Sequence, residues 1–253
     1  MQDIKGFYEM KKLNFVLIIM AMLAIPTFLS AQSEKDSSVL SKTQITKDIT
    51  GYLEQQNYDS EISGNLAEYI VKSTLCWSPK KIDVKKADYI IGFSFGNRID
   101  KEGNRLPGPM NQQIADLIVK LYNVNPIPIY AQWEVEKSIG HRIPSDKITT
   151  IYPKISPTGD VVYLSTVGVI NNIINDIGKE KVDGKNFIIA AFREHAPRCA
   201  MLCHKYGLKN SFVPKTFELP DKYDLESGQP WTRDKFKYMI YDMQCRLEEL
   251  TVN

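Results

Sequence analysis

Short apolar, β-rich runs alternate along most of this chain with amphipathic stretches of helical period, and that alternation constrains the fold more than any other feature. The run Ala87–Phe95 (ADYIIGFSF) ends at Gly96, and Asn111–Tyr122 then carries Ile114, Leu117, Ile118 and Leu121 on one helical stripe. Ile127–Gln132 (IPIYAQ) predicts a second strand and Lys147–Tyr152 a third. Ser165–Ile177 opens with a capping Ser-Thr pair and continues as a helix. Asn186–Phe192 (NFIIAAF) reads as a buried strand. A helix from His195 to Tyr206 follows it and stops at Gly207, a residue suited to the left-handed turn after a helix. Ser211–Val213 predicts a short strand and Trp231–Leu250 a long terminal helix. Strands this apolar are covered on both faces. The expected fold class is therefore α/β, a doubly wound, mostly parallel sheet with helices on both faces in a Rossmann-like three-layer arrangement. Ahead of it, Thr43–Gln56 and Ser63–Leu75 predict two helices, with Ser63 as an N-cap.

Composition narrows the functional classes. The 253 residues are 43% hydrophobic and 25% charged, with Lys+Arg 32 against Asp+Glu 30. So even a balance argues against nucleic acid as the partner, which calls for a basic excess. Lys11 and Lys12 precede an uncharged, mostly apolar run, Leu13–Leu29, that ends at Ser30-Ala31 before the chain turns polar at Gln32. This pattern is that of a secretory signal, with Met10 as an alternative start. The expected organisation is a signal peptide over 1–31, an N-terminal helical extension over 32–86 and an α/β domain over 87–253. Export to the periplasm or medium follows; the bulky Leu29 leaves an uncleaved inner-membrane anchor as the alternative. Cys76, Cys199, Cys203 and Cys245 form an even set in a disulfide-permissive compartment, and three pairings or free thiols remain open.

Doubly wound sheets bind ligands beyond the carboxyl ends of their strands, where the strand order reverses. The residues there are Ser94, Gly96, Asn97 and Arg98 after the first run, and Gln132, Trp133 and Glu134 after the second. Arg193, Glu194, His195, Pro197 and Arg198 follow NFIIAAF. Guanidinium groups, a helix N-terminus and Ser, Asn and Gln donors, Asn111 among them, suit a small anion such as phosphate. Surface pairing of the arginines with neighbouring acids is the plainer alternative. His195, Cys199 and Cys203 share a helix face with His204 next to it, but no further ligand completes a metal site and none is expected. No P-loop, G-x-G-x-x-G or G-x-S-x-G elbow occurs, and the cofactor, if any, is left unknown. Trp77, Trp133 and Trp231 could stack a ring of sugar or base, but a tryptophan in an α/β protein is more often core or rim.

The segment FIIAAFREHAPRCAMLCHKYGL resembles the last strand and helix of the SanA, ElyC and YdcF-like superfamily, a bacterial domain-of-unknown-function family associated with the cell envelope. The matching features are a strand, a short turn, His195, Arg198 three residues on, and a helix ending near Gly207. ADYIIGFSFGNR occupies the place of that family's opening strand and glycine loop. AQWEV and YLSTVGVINNII occupy those of its second-strand loop and its Thr-capped helix, and place Gln132, Glu134 and Thr166. SGQPWTRDKF is similar to the tail of one branch and places Gln229, Trp231 and Arg233. The likeness spans about Ala87–Leu247. It departs where the family's paired glycines give way to the bulky Gln132-Trp133. The resemblance implies a role in envelope integrity and in peptidoglycan-precursor or lipid-carrier steps, with no settled reaction.

Two functional expectations follow. In the first, an envelope hydrolase or transferase acts on a phosphorylated or nucleotide-like substrate, with His195 and Glu134 as the acid/base pair. Ser94, Gly96, Asn97, Arg98, Asn111, Gln132, Thr166, Arg193, Arg198, Gln229, Trp231 and Arg233 would then hold the ligand. In the second, a non-catalytic module binds such a ligand or a protein partner.

Overall fold

The computed structural model describes residues 41–251 other than 76, 156 and 158–160, so the expected signal segment and Cys76 lie outside the described residues. One compact unit holds the described residues up to Trp77 together with those from Met243 onward; the other is Ser78–Asp242.

In the first unit, α1 (Lys42–Gln55) is capped by Ser41, whose Oγ accepts the Gln44 N–H at 3.1 Å. Helix α2 (Ser60–Ile70) is capped by Asp59, which accepts the Ile62 N–H at 2.8 Å, and runs on into a π-helical turn over Val71–Leu75. Ser63 is thus not the cap. It lies on the buried stripe with Ala67 and Ile70, and carrying that stripe into the core starts the helix a turn earlier, where Asp59 supplies the acceptor. Ile49, Leu53, Ala67, Ile70 and Val71 form this unit's apolar core, with Leu247 packed against it.

The second unit is built on six parallel strands in the order β6-β5-β2-β9-β10-β1. They are β1 (Lys81–Ile82), β2 (Tyr89–Gly92), β5 (Ile129–Gln132), β6 (Ile148–Ile151), β9 (Phe187–Ala190) and β10 (Ser211–Pro214). From β2 the chain steps outward to β5 and β6. It then crosses back to β9 on the other side of β2 and steps out to β10, so the order reverses between β2 and β9. Those two strands pair in register, Ile90 with Ile188 and Gly92 with Ala190. All four residues of β9 are buried, as a strand covered on both faces requires. Strand β1 carried no sequence signal. It brings residues 78–86, expected in the N-terminal extension, into the sheet through its pairing with β10. Two antiparallel hairpins, β3–β4 (Arg98–Ile99, Arg105–Leu106) and β7–β8 (Lys154–Ile155, Val161–Val162), complete the strands.

Helix α3 (Gly108–Val124) lays Met110, Ile114, Leu117, Ile118 and Leu121 on the sheet. Helix α4 (Trp133–Ile139) follows β5 without a loop. The Gln132-Trp133-Glu134 stretch expected as a turn is therefore the cap and first turn of a helix, and it buries Glu134, Val135 and Ile139. Helix α5 (Thr166–Ile177) is capped by Ser165, whose Oγ accepts the Gly168 N–H at 3.1 Å, so Ser165 and not Thr166 holds the cap. Helix α6 (Ala196–Lys205) closes before Gly207, whose φ of +117° is the left-handed turn its sequence position implied. The terminal helix α7 (Lys235–Thr251) starts later than expected, because Pro230–Thr232 forms a separate 3-10 turn and Asp234 accepts the Lys237 N–H at 3.0 Å.

Candidate functional site

The β2–β9 reversal opens a cleft of about 190 Å³ at the strand carboxyl ends. Its floor is the loop after β2, held from two sides. The Phe95 N–H donates to Asn111 Oδ1 at 2.9 Å, and Asn111 Nδ2 returns a bond to the Gly96 carbonyl at 2.9 Å. From the other side, the Ser94 N–H donates to Gln132 Oε1 at 2.9 Å. Gly96 has φ +64°, and a Cβ there would stand 2.8 Å from Ser227 Oγ and 2.9 Å from Thr232 Oγ1. Only glycine combines that backbone with that close approach.

One wall carries His195, 6% exposed at the head of α6. The Tyr238 hydroxyl lies 2.8 Å from Nδ1, and Arg198 Nη2 donates to Nδ1 at 3.3 Å and to the Tyr238 hydroxyl at 3.1 Å. Arginine only donates, so Nδ1 is an acceptor, and the network assigns the ring proton to Nε2. Burial, reinforced by the Arg198 charge, holds the His195 pKa well below its usual value, and the ring is neutral. Arg198 in turn pairs through Nε with Asp242 Oδ1 at 2.9 Å, and its guanidinium lies 5.2 Å from the Tyr241 ring centroid. Among the described residues His195 Nε2 has no hydrogen-bond partner.

The other wall carries Tyr163, whose hydroxyl donates to Glu134 Oε1 at 2.5 Å. Glu134 is 1% exposed and lies behind this tyrosine, and its Oε2 has no hydrogen-bond partner. Burial raises its pKa, against the opposing bonds from Tyr163 and Ser94. The Arg105 guanidinium sits 4.4 Å from the Tyr163 ring centroid and brings the β3–β4 hairpin to this wall.

Of the residues singled out in the sequence, Ser94, Gly96, Gln132, Thr166, His195, Arg198, Gln229 and Trp231 line the cleft together. Asn111 supports the floor from beneath, and Glu134 sits behind Tyr163. Asn97, buried, accepts the Gly228 N–H at 2.7 Å through its carbonyl, and Arg233 Nε donates to the Ser227 carbonyl at 2.5 Å; both brace the 227–233 segment instead of lining the cleft. Arg98 is spent on Asp224, at 2.6 Å and 2.8 Å, and on Glu226. Arg193 is spent on Asp221 at 2.7 Å and Glu218 at 3.3 Å. Those two follow the plainer alternative of pairing with nearby acids. Tyr163, Ser165, Thr232, Tyr238 and Tyr241 line the cleft without having been anticipated. The spacing of Tyr238 and Asp242 puts two polar groups on one face of a helix whose start is otherwise apolar-backed, and that was the one available signal.

Cys199 and Cys203 are buried free thiols, pushed up by burial, Cys203 to about 12. His204 turns to the Lys209 carbonyl at 3.0 Å. Among the described residues no cluster of His, Cys, Asp and Glu is arranged to hold a metal. No family model, no curated protein and no solved structure matches the chain.

Proposed function

We propose that this is an exported, envelope-associated α/β protein whose switch-point cleft takes a small phosphorylated or nucleotide-like ligand, as its likeness to the SanA, ElyC and YdcF-like superfamily suggests. The observation that carries the reading is that the N-termini of α5 and α6 both open on this cleft, with Ser165, Thr166 and His195 in its lining and Arg198 one turn into α6. The positive ends of two helices favour an anion there; at α6 this is the dipole alone, because the His195 and Ala196 N–H groups bond the Phe192 carbonyl and Pro197 carries none. In the enzymatic form of the reading, neutral His195 offers its Nε2–H as a hydrogen-bond donor to the ligand, and it serves as a base at Nε2 only in the other tautomer, with the proton on Nδ1. One observation favours binding without turnover: Glu134 lies behind Tyr163, so no second acid/base carboxylate faces the ligand directly.

Thermal unfolding with phosphate and nucleoside monophosphates tests the anion site. A ligand at one hundred times its Kd adds about 2.7 kcal/mol, and a chain that no phosphate compound stabilises refutes the reading. His195→Gln separates the two forms, because it keeps a hydrogen-bonding side chain without a titrating proton. A catalytic role predicts retained binding with failed complementation of a deletion strain; a binding role predicts near-normal complementation. Mass spectrometry of periplasmic and membrane fractions tests export: a chain beginning near Gln32 is expected, and an intact Leu13–Ala31 segment in membranes establishes the anchored alternative.

A further inference from the structure

Trp231 lines the cleft while remaining 41% exposed, and its indole is backed by Tyr241 with 5.6 Å between ring centroids and 32° between planes. The polar groups around it are directed and mostly uncharged. Nine of the fifteen lining residues carry a hydroxyl or carboxamide, so this wall offers donors and acceptors more than net charge. Several of those groups are unspent. Gln132 uses Oε1 on the Ser94 amide and keeps Nε2, while among the described residues the Gln229 carboxamide and the Thr166 hydroxyl make no side-chain hydrogen bond. His195 Nε2 is likewise unspent, and the charge of Arg198 is offset by Asp242. An aromatic face beside several neutral donors and acceptors suits a ring that is apolar on its faces and hydroxylated around its edge. The volume, about 190 Å³, accommodates one such ring and not a chain of them.

We infer that the cleft binds the sugar ring of a sugar phosphate, stacked on Trp231 and hydrogen-bonded by Gln132, Thr166 and Gln229. The phosphate points at the N-termini of α5 and α6, and that half of the inference rests on the phosphorylated-ligand reading above. The Trp231 platform is independent of it.

Isothermal titration of the mature chain with inorganic phosphate, neutral methyl glycosides, pentose and hexose phosphates and nucleoside monophosphates tests both halves. Sugar phosphates are expected to bind roughly tenfold more tightly than phosphate, and Trp231→Ala to remove that margin while Trp231→Phe keeps part of it. Tryptophan fluorescence should respond to sugar phosphates and not to phosphate. The far-UV melting midpoint of Trp231→Ala should match the wild type, so that lost affinity is not lost folding. Equal affinity for phosphate and sugar phosphates, or a margin that survives Trp231→Ala, overturns the sugar ring. Margins confined to nucleotides bearing a base overturn it in favour of base stacking. Neutral glycosides that bind through Trp231 while phosphate adds nothing uphold the ring and overturn the phosphate reading, and a protein that binds none of the probes overturns both.

Discussion

The two walls of the cleft each bury an ionisable group, and burial does opposite things to them. On the α6 wall, His195 loses its charge because desolvation and the neighbouring Arg198 both disfavour imidazolium. On the α4 wall, desolvation favours the protonated form of Glu134 and outweighs the bond from Tyr163, which favours the carboxylate. The His195 wall is cross-linked through Tyr238, Arg198 and Asp242, whereas the hydroxyl of Tyr163 is the group that joins Glu134 to the cleft. A polar network linked through several members holds a more rigid geometry than a single bond does.

The sharpest way to break this contrast is Arg198→Ala. It removes the guanidinium that pairs with Asp242, whose side chain is 2% exposed, and should cost about 3 to 5 kcal/mol in urea unfolding. A double-mutant cycle with Asp242→Asn should show strong coupling; additive losses would mean that the pair does not hold this wall. Tyr163→Phe removes the hydroxyl that donates to Glu134 Oε1 and should cost about 1 to 3 kcal/mol, with no comparable effect on the His195 wall.

The pH dependence separates the walls by sign. The contribution of Glu134, whose pKa is raised, is fully present below its ordinary 4.5 and is lost as pH climbs through the raised value, because the unfolded chain gives up its proton first. The contribution of His195, whose pKa is lowered, is full above its ordinary 6.5 and is lost as pH falls toward the lowered value, because the unfolded chain takes up a proton first. Each can tilt stability by at most about 1.4 kcal/mol per pH unit. Glu134→Gln should therefore flatten the decline above pH 4.5, and His195→Gln the decline below pH 6.5. Unchanged slopes in chemical denaturation across pH would show that neither group is held neutral. The smallest effect is expected from Arg193→Ala. Its partners Asp221 and Glu218 are exposed, and the loss should stay under about 1 kcal/mol, against the much larger cost at Arg198 five residues along.

That pair of arginines shows where sequence reading succeeds and where it stops. Both follow the same strand and both were candidates for an anion. Arg193 leaves the strand toward Asp221 and Glu218, and Arg198, three residues past His195, turns inward on the first turns of α6. Their partners lie 25 to 44 positions away along the chain, so no local pattern distinguishes them. The hydroxyl wall was hidden for the same reason: Tyr163 lies between β8 and α5, Thr232 in the turn before α7 and Tyr238 on α7, and only the tertiary structure brings them together.

The alternation of apolar runs and helical stripes was enough to establish the α/β class and the positions of β2, β5 and β9, because a strand buried on both faces must be apolar along its whole length; β6 and β10, only partly buried, were placed by their shorter β-rich runs. Local chemistry also placed Gly207 after α6 and a Ser-Thr pair at the start of α5. The tertiary structure alone decided the strand order, and with it the reversal between β2 and β9 that makes His195 and Ser94 neighbours. It also decided the charge state of His195 and Glu134, since desolvation is a property of what packs around a group and not of the residues beside it in the chain.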